Sequence, residues 1–320
     1  MEYPSGDGRR KFQAVSDVSL DILKGETLGI VGESGCGKST LARAILRLPA
    51  PTHGTVVLNS ESLVGASSAT ERQSRQQMQI ILQDPISSIN PRRRIIDVVA
   101  EPLEIWDVPA EARQARVRAM LEEVGLAADQ VGQRRRHELS GGQCQRVCIA
   151  RALINEPQVL ICDEAVSALD VSVQAQILNL IRELKARMGL TILFISHDLA
   201  VVRYVSDRVM VMYLGRVCEV GPSEVLYQTP LHPYTAALIA SIPEPDPHSP
   251  TVQLGSLQGE PPSPTQPPSG CRFRTRCPHA DTVCATDEPQ MRELRPGQFV
   301  ACHHPLETSE HGVHVRSAVP

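Results

Sequence analysis

Short apolar runs alternate with stretches of helical spacing through the first 240 residues. Leu28–Val31, Gln158–Cys162, Thr191–Ile195 and Val209–Tyr213 are apolar runs of strand length, bounded by turn residues, and each predicts a buried strand. Ser39–Arg47 has helical spacing. Val173, Ile177, Leu180, Ile181 and Leu184 form one stripe and predict a helix over Val173–Met188. Charged, Ala-rich Ala110–Val124 and the stretch Ser140–Asn155 predict two more helices. Strands alternating with helices imply an α/β fold: a mostly parallel sheet covered on both faces. We expect that domain over residues 1–242, with a helical subdomain at about 84–155.

The pattern ends at Pro243. Nine of the 25 prolines lie between Pro243 and Pro268. Residues 243–269 therefore read as an extended, polyproline-like linker. Residues 270–305 form a Cys- and Arg-containing module, too short to build a core unaided. Residues 306–320 are a tail.

Composition narrows the classes. The chain has 320 residues, 42% of them hydrophobic, which suits a packed core rather than disorder. A net charge of −4 argues against a dedicated nucleic-acid binder. No run of 18 apolar residues occurs, so no membrane-spanning helix is expected. Polar Met1–Lys11 lacks an apolar core, so secretion is not expected either. The 9 cysteines then read as thiols or metal ligands rather than disulfides.

The candidate chemistry begins at Gly32-Glu33-Ser34-Gly35-Cys36-Gly37-Lys38-Ser39-Thr40, which fits G-x-x-x-x-G-K-[ST] between a strand and a helix. The glycines let backbone N–H groups converge on phosphate oxygens at the positive end of a helix. Lys38 can reach the β- and γ-phosphates, and Ser39 can ligate Mg²⁺. A second acidic site ends the strand Val159-Leu160-Ile161-Cys162-Asp163-Glu164. Asp163 can hold Mg²⁺, and Glu164 can polarise a water for attack on the γ-phosphate. Both strands deliver their last residues to the edge where ligands bind in such sheets.

Leu139-Ser140-Gly141-Gly142-Gln143, followed by Cys144-Gln145-Arg146, resembles the signature sequence of ABC-type ATPases. Ser140 is also an ordinary helix N-cap, and the two roles are compatible. Gln83, opening Gln-Asp-Pro-Ile-Ser-Ser, looks like that family's Q-loop and is a further Mg²⁺ ligand and catalytic-site residue. Ser167-Ala168-Leu169-Asp170 looks like the D-loop, and His197 in Ile-Ser-His-Asp looks like the switch histidine. Ala165-Val166 departs from the family's usual Pro-Thr and implies altered local packing. Base stacking falls to Tyr3 or Phe12, with Tyr3 favoured by a family-like start. The resemblance implies hydrolysis of ATP to ADP and phosphate in a head-to-tail dimer, each ATP held between one phosphate loop and the other subunit's signature.

Val209-Met210-Val211-Met212-Tyr213-Leu214-Gly215-Arg216, Cys218-Glu219-Val220-Gly221 and His232-Pro233-Tyr234-Thr235 together resemble the ATP-binding subunits of oligopeptide and dipeptide importers. The run from Pro262 to Cys271 looks like the F-type member of the D/F pair. That resemblance implies a D-type partner, two permease subunits, an extracytoplasmic substrate-binding protein, no nucleic acid, and a peripheral place on the cytoplasmic face of the membrane. Nickel importers share this architecture, and a non-transport ABC ATPase acting on nucleic acid is the distant alternative. Trp106 lies near the expected permease surface or in the subdomain core.

Cys271, Cys277, Cys284 and Cys302 space as C-x5-C-x6-C-x17-C. Four thiolates suit structural zinc or an iron–sulfur cluster, or they remain free. Resemblance to the C-terminal module of peptide-importer ATPases implies a [4Fe–4S] cluster. Arg272, Arg274 and Arg276 could balance its charge or form a solvated basic strip. His279, His303 and His304 are substitute ligands or surface residues.

Overall fold

The computed structural model describes residues 1–4, 11–242, 259–309 and 312–315. Most of the expected Pro-rich linker, residues 243–258, and the end of the tail lie outside the described residues. Residues 259–269 contain no helix or strand. The chain divides into two compact units, residues 1–21, 27–53 and 196–320 in one, and residues 22–26 and 54–195 in the other.

In the first unit, strand Thr27–Val31 pairs in parallel with Arg208–Tyr213, with Leu28 opposite Arg208 and Val31 opposite Val211. All five residues of Thr27–Val31 are buried, as an apolar strand covered on both faces must be. Helix Lys38–Ile45 follows the Gly-rich loop and buries Leu41, Ala42 and Ala44. Arg208–Tyr213 continues antiparallel into Arg216–Pro222, with a register shift between Val217 and Glu219.

The C-terminal module extends this same sheet. Its strand Gln298–Val300 pairs antiparallel with Arg216–Pro222, and Arg292–Arg295 pairs with Gln298–Val300. This answers how so short a segment folds: it borrows a core. Val300 and Cys302 bury against Leu231. The buried Glu219 carboxylate accepts the N–H groups of Leu231 and His232 and the Gln298 side-chain amide at 2.8–2.9 Å. Backbone and side-chain donors thus satisfy an acid that would otherwise be costly to bury.

The N-terminal strands Glu2–Pro4 and Lys11–Gln13, unmarked in the hydrophobic pattern, pair antiparallel. Tyr3 lies opposite Phe12, their ring centroids 6.2 Å apart. The two candidates for base stacking are therefore neighbours in one hairpin, and Tyr3 is not in a loose end.

The second unit holds three parallel strands, Met78–Ile81, Val159–Asp163 and Thr191–Ile195, with Val159–Asp163 central. Helix Val171–Met188 buries Ile177, Leu178, Leu180, Ile181 and Leu184 on one stripe. Asp170 caps its start, and Gly189 in the left-handed region (φ 65°) ends it. Helices Ser68–Gln77, Ile95–Ile105, Ala110–Glu123, Ala128–Val131 and Gly141–Leu153 also belong to this unit. Ile95–Ile105 packs on Gly141–Leu153. Trp106, at the end of Ile95–Ile105, is half-buried with the Arg72 guanidinium 4.9 Å from its ring centroid. Ala165 and Val166, where the sequence departs from Pro-Thr, are buried. Among the described residues no helix is long and apolar enough to cross a membrane.

Candidate functional site

The loop Gly32–Thr40 follows its strand directly into helix Lys38–Ile45. Gly32 has φ 152°, and a Cβ there would sit 2.1 Å from the Met212 carbonyl oxygen. Gly37 has φ 106°, and its Cβ would meet the Ala14 carbonyl at 2.5 Å. Both positions exclude side chains by backbone contact as well as by dihedral angle. Gly37 is the N-cap and supplies no side-chain cap, so no cap side chain covers the first N–H groups of the helix. Lys38 is buried. Its Nζ donates to the carbonyls of Gly32 (2.6 Å) and Glu33 (3.0 Å). Burial pushes the Cys36 thiol up, with Lys38 acting against it. Cys36 fits as a small buried group, not as a reactive thiolate.

Glu33 is held from two sides. Its N–H donates to the Tyr234 hydroxyl at 3.0 Å. Its carboxylate receives both terminal nitrogens of Arg276, at 2.7 and 3.0 Å. Arg276 comes from the C-terminal module, and its side chain is 5% exposed. The expected solvated strip or cluster counter-charge is thus corrected for Arg276, because its charge is spent on Glu33. Arg272 donates instead to the Leu214 carbonyl, and Arg274 to Ser269. Tyr213, Tyr234 and Phe273, three of the chain's ten aromatic residues, pack together behind these contacts, centroids 4.7–5.3 Å apart. Nothing in the sequence pattern pairs residue 33 with residue 276; the only signals were a Tyr in His-Pro-Tyr-Thr and the arginines beside Cys271 and Cys277.

In the second unit, Asp163 is buried at the end of its strand, and Glu164 follows with φ 50°. A left-handed glutamate is a strained conformation, held here by its N–H donating to Ile195 and its carbonyl accepting from Ser167. The Gln83 side-chain amide donates to the Glu164 carboxylate at 2.7 Å. The stretch after Gln83 is tied to the helix Gly141–Leu153 and its approach: Arg136 and Arg151 donate to the carbonyls of Ile86 and Ser88, and the Cys148 thiol to that of Pro85. Cys148, which had no role in the sequence, contributes to this seam.

Ser140 caps Gly141–Leu153 through a reciprocal pair. Its hydroxyl accepts the Gln143 N–H, and the Gln143 side chain accepts the Ser140 N–H. Gly142 has a second reason to be glycine, since a Cβ there would lie 2.6 Å from Val173 Cγ1. Asp170, accepting from Val173 N–H and the Ser172 hydroxyl, has a carboxyl held below the usual range by these bonds. His197, in the first unit, is exposed beside Asp198, which caps Leu199–Val205.

The four C-terminal cysteines are gathered in the module. Burial, with the neighbouring Cys271, Cys277 and Cys284 adding to it, pushes the Cys302 thiol up to about 12. Burial, then Cys271 and Cys284, raises Cys277 to about 11. Buried Cys218 also lies near Cys271 and Cys302 and is raised, chiefly by burial. Among the described residues, the one trio of metal-ligating side chains with ligand atoms within 4.8 Å of each other is Asp281, Cys284 and His304. Asp281 also caps helix Thr282–Thr286 and pairs with His304 at 2.9 Å.

Comparison with known proteins agrees with this arrangement. Residues 15–167 match the ABC transporter family, and residues 218–284 match the oligopeptide/dipeptide transporter C-terminal region. The chain is 52% identical over 302 residues to the oligopeptide transport ATP-binding protein OppF of Escherichia coli, covering 90% of this chain and 89% of that one. It is 49% identical over 306 residues to the putative oligopeptide transport ATP-binding protein YkfD of Bacillus subtilis, covering 95% and 92%. Among solved structures, the dimeric post-hydrolysis ATP-binding cassette MJ0796 with ADP and phosphate has a TM-score of 0.62 at 29% identity, covering 69% of this chain and 95% of that one. The cassette cbiO1 of Clostridium perfringens has a TM-score of 0.63 at 29% identity, covering 71% and 88%.

Proposed function

The chain belongs to the ABC transporter family of ATPases, and we infer that it hydrolyses ATP to power import of oligopeptides or dipeptides. One combination carries this reading: a phosphate-loop ATPase and an oligopeptide/dipeptide transporter C-terminal region in a single chain, about half identical to named peptide-transport ATPases across nine tenths of its length.

The motifs assign the roles. Gly32–Thr40 binds the phosphates, with Lys38 neutralising charge on the transferred group. Ser39, Gln83 and Asp163 offer a hydroxyl, an amide and a carboxylate, hard oxygen donors suited to Mg²⁺, which when bound neutralises phosphate charge. Glu164 accepts a proton from the attacking water. The Gln83–Glu164 hydrogen bond supports this, because it orients the carboxylate. His197 senses the γ-phosphate. Ser140, Gly141, Gly142, Gln143 and Asp170 serve the ATP of a partner subunit, and Tyr3 stacks on the base. The partner is a D-type ATPase. The pair works on two permeases, with a substrate-binding protein outside, at the cytoplasmic face of the membrane.

We propose that Cys271, Cys277, Cys284 and Cys302 hold a [4Fe–4S] cluster, with a zinc ion as the alternative occupant. A cluster takes four thiolates, and when bound it supplies metal–sulfur crosslinks to the module. The test of the transport reading is ATP-dependent peptide uptake into vesicles carrying this chain with its co-purified permease and ATPase partners. Uptake of other solutes but not of peptides would overturn it.

A further inference from the structure

We propose that Arg276 is a positioning residue for the phosphate loop, acting from the C-terminal module through Glu33. The proposal rests on reading Gly32–Thr40 as the ATP-binding loop.

Three observations carry it. First, the contact is bidentate, with the guanidinium 5% and the carboxylate 24% exposed, a geometry in which arginine fixes a carboxylate's orientation as well as its charge. Second, the module holds the loop directly at Glu33 and indirectly, through the Leu214–Gly215 turn, at Cys36. Arg276 grips Glu33, while Arg272 donates to the Leu214 carbonyl. The next residue, Gly215, donates its N–H to the Cys36 carbonyl at 2.8 Å. The Cβ site of Gly215 lies against the Ala14 carbonyl and Arg272, so this turn has no slack. Third, Lys38 now bonds the Gly32 and Glu33 carbonyls. The lysine that meets the phosphates is thus bonded to the backbone of the residue that Arg276 and Tyr234 hold.

Electrostatics points the same way. Glu33 is a carboxylate inside a loop that receives polyanionic phosphates. Arg276 cancels its charge. Removing the arginine leaves an uncompensated negative charge in the loop and frees its first turn, and both effects oppose ATP. Arg272 and Arg276 directly follow Cys271 and precede Cys277, so whatever fixes those cysteines also fixes the clamp.

The test measures binding of a fluorescent ATP analogue with Mg²⁺ to the full-length chain, with thermal unfolding alongside. Arg276→Gln is expected to weaken binding about tenfold, the loss of a charged hydrogen-bonded pair. Adding Glu33→Gln to it restores affinity to within about threefold of wild type, because the stranded charge is gone. Arg276→Lys falls between, keeping the charge but not the fork. A purely structural role would lower the unfolding temperature of Arg276→Gln and leave the affinity of the folded fraction unchanged, which overturns the proposal. So does a double variant no better than Arg276→Gln. Should Arg276→Gln fail to fold, the double variant, with no unpaired buried charge, and Arg276→Lys decide the matter: wild-type affinity in Arg276→Lys overturns the proposal. A wild-type chain that binds no ATP, or binds it equally well as Lys38→Ala, sinks the nucleotide reading and this inference with it. Normal wild-type binding with an unchanged Arg276→Gln sinks this inference alone.

Discussion

The side-chain amide of Gln83 donates to the carboxylate of Glu164 at 2.7 Å, joining residues 81 positions apart in the sequence. Gln83 follows the edge strand Met78–Ile81, and Glu164 follows the central strand Val159–Asp163. Parallel pairing of these strands, with Ile81 opposite Cys162, brings their carboxyl ends level. The contact is thus a product of register.

Glu164→Gln keeps the size and hydrogen-bonding reach of the side chain but not its basicity. ATP turnover is expected to fall at least about 10²-fold, the usual weight of a general base. ATP-bound dimers should persist. Phosphate release and size-exclusion chromatography with ATP check both, and unchanged turnover would refute the assignment.

Gly142→Ala puts a methyl group 2.6 Å from Val173 Cγ1. Overpacking of this kind costs about 1–3 kcal/mol. Denaturant unfolding should show that loss, and Val173→Ala in the same chain should recover most of it. If the single variant is as stable as wild type, the close approach of the two helices is not tight.

His232 is fully buried, caps helix Pro233–Ala240 through Nδ1, and has its pKa pushed down to about 3 by burial. Its unfolded value is about 6.5, so the unfolded chain binds the proton that the folded chain refuses. Stability from this group is complete above pH 6.5 and is lost as pH falls toward 3, by roughly 3–5 kcal/mol. The buried Glu219 carboxyl, raised chiefly by burial, works in the opposite sense as pH rises. His232→Asn retains the cap acceptor without the titration. Its stability curve should be flatter than wild type between pH 3 and 6.5, and parallel curves would contradict the argument.

Anaerobically purified protein should carry iron and acid-labile sulfide and absorb visible light. Cys277→Ser should lose the iron and lower the unfolding temperature, while ATP binding weakens without disappearing. Colourless protein with stoichiometric zinc would replace the cluster with a zinc site, for which Asp281, Cys284 and His304 are the nearest ligand group.

Much of this protein is written in local pattern. The strands Thr27–Val31 and Thr191–Ile195 are fully buried and apolar after their first threonine, and the helix Val171–Met188 is a clean stripe between an Asp cap and a Gly stop. Their periodicities reflect burial on two faces or on one, so they survive in the sequence. The phosphate loop is legible for a related reason: Gly32 and Gly37 occupy backbone positions that no other residue fits.

Other features depended on contacts across long stretches of chain. The N-terminal hairpin has three-residue strands with no apolar run to betray it. The C-terminal segment looked too small to fold because its core lies elsewhere, on the strand Arg216–Pro222. Arg276 looked like a surface cation beside a cysteine. Its partner, Glu33, is 243 residues away, and charge pairing has no periodicity that a sequence can display. The sequence by itself determined the α/β architecture, the ATPase family and the motif residues, because these rest on local backbone geometry and burial. Only the tertiary structure decided that the cysteine module is part of the ATPase sheet and reaches the phosphate loop, because sheet pairing and a buried ion pair are fixed by packing between distant segments.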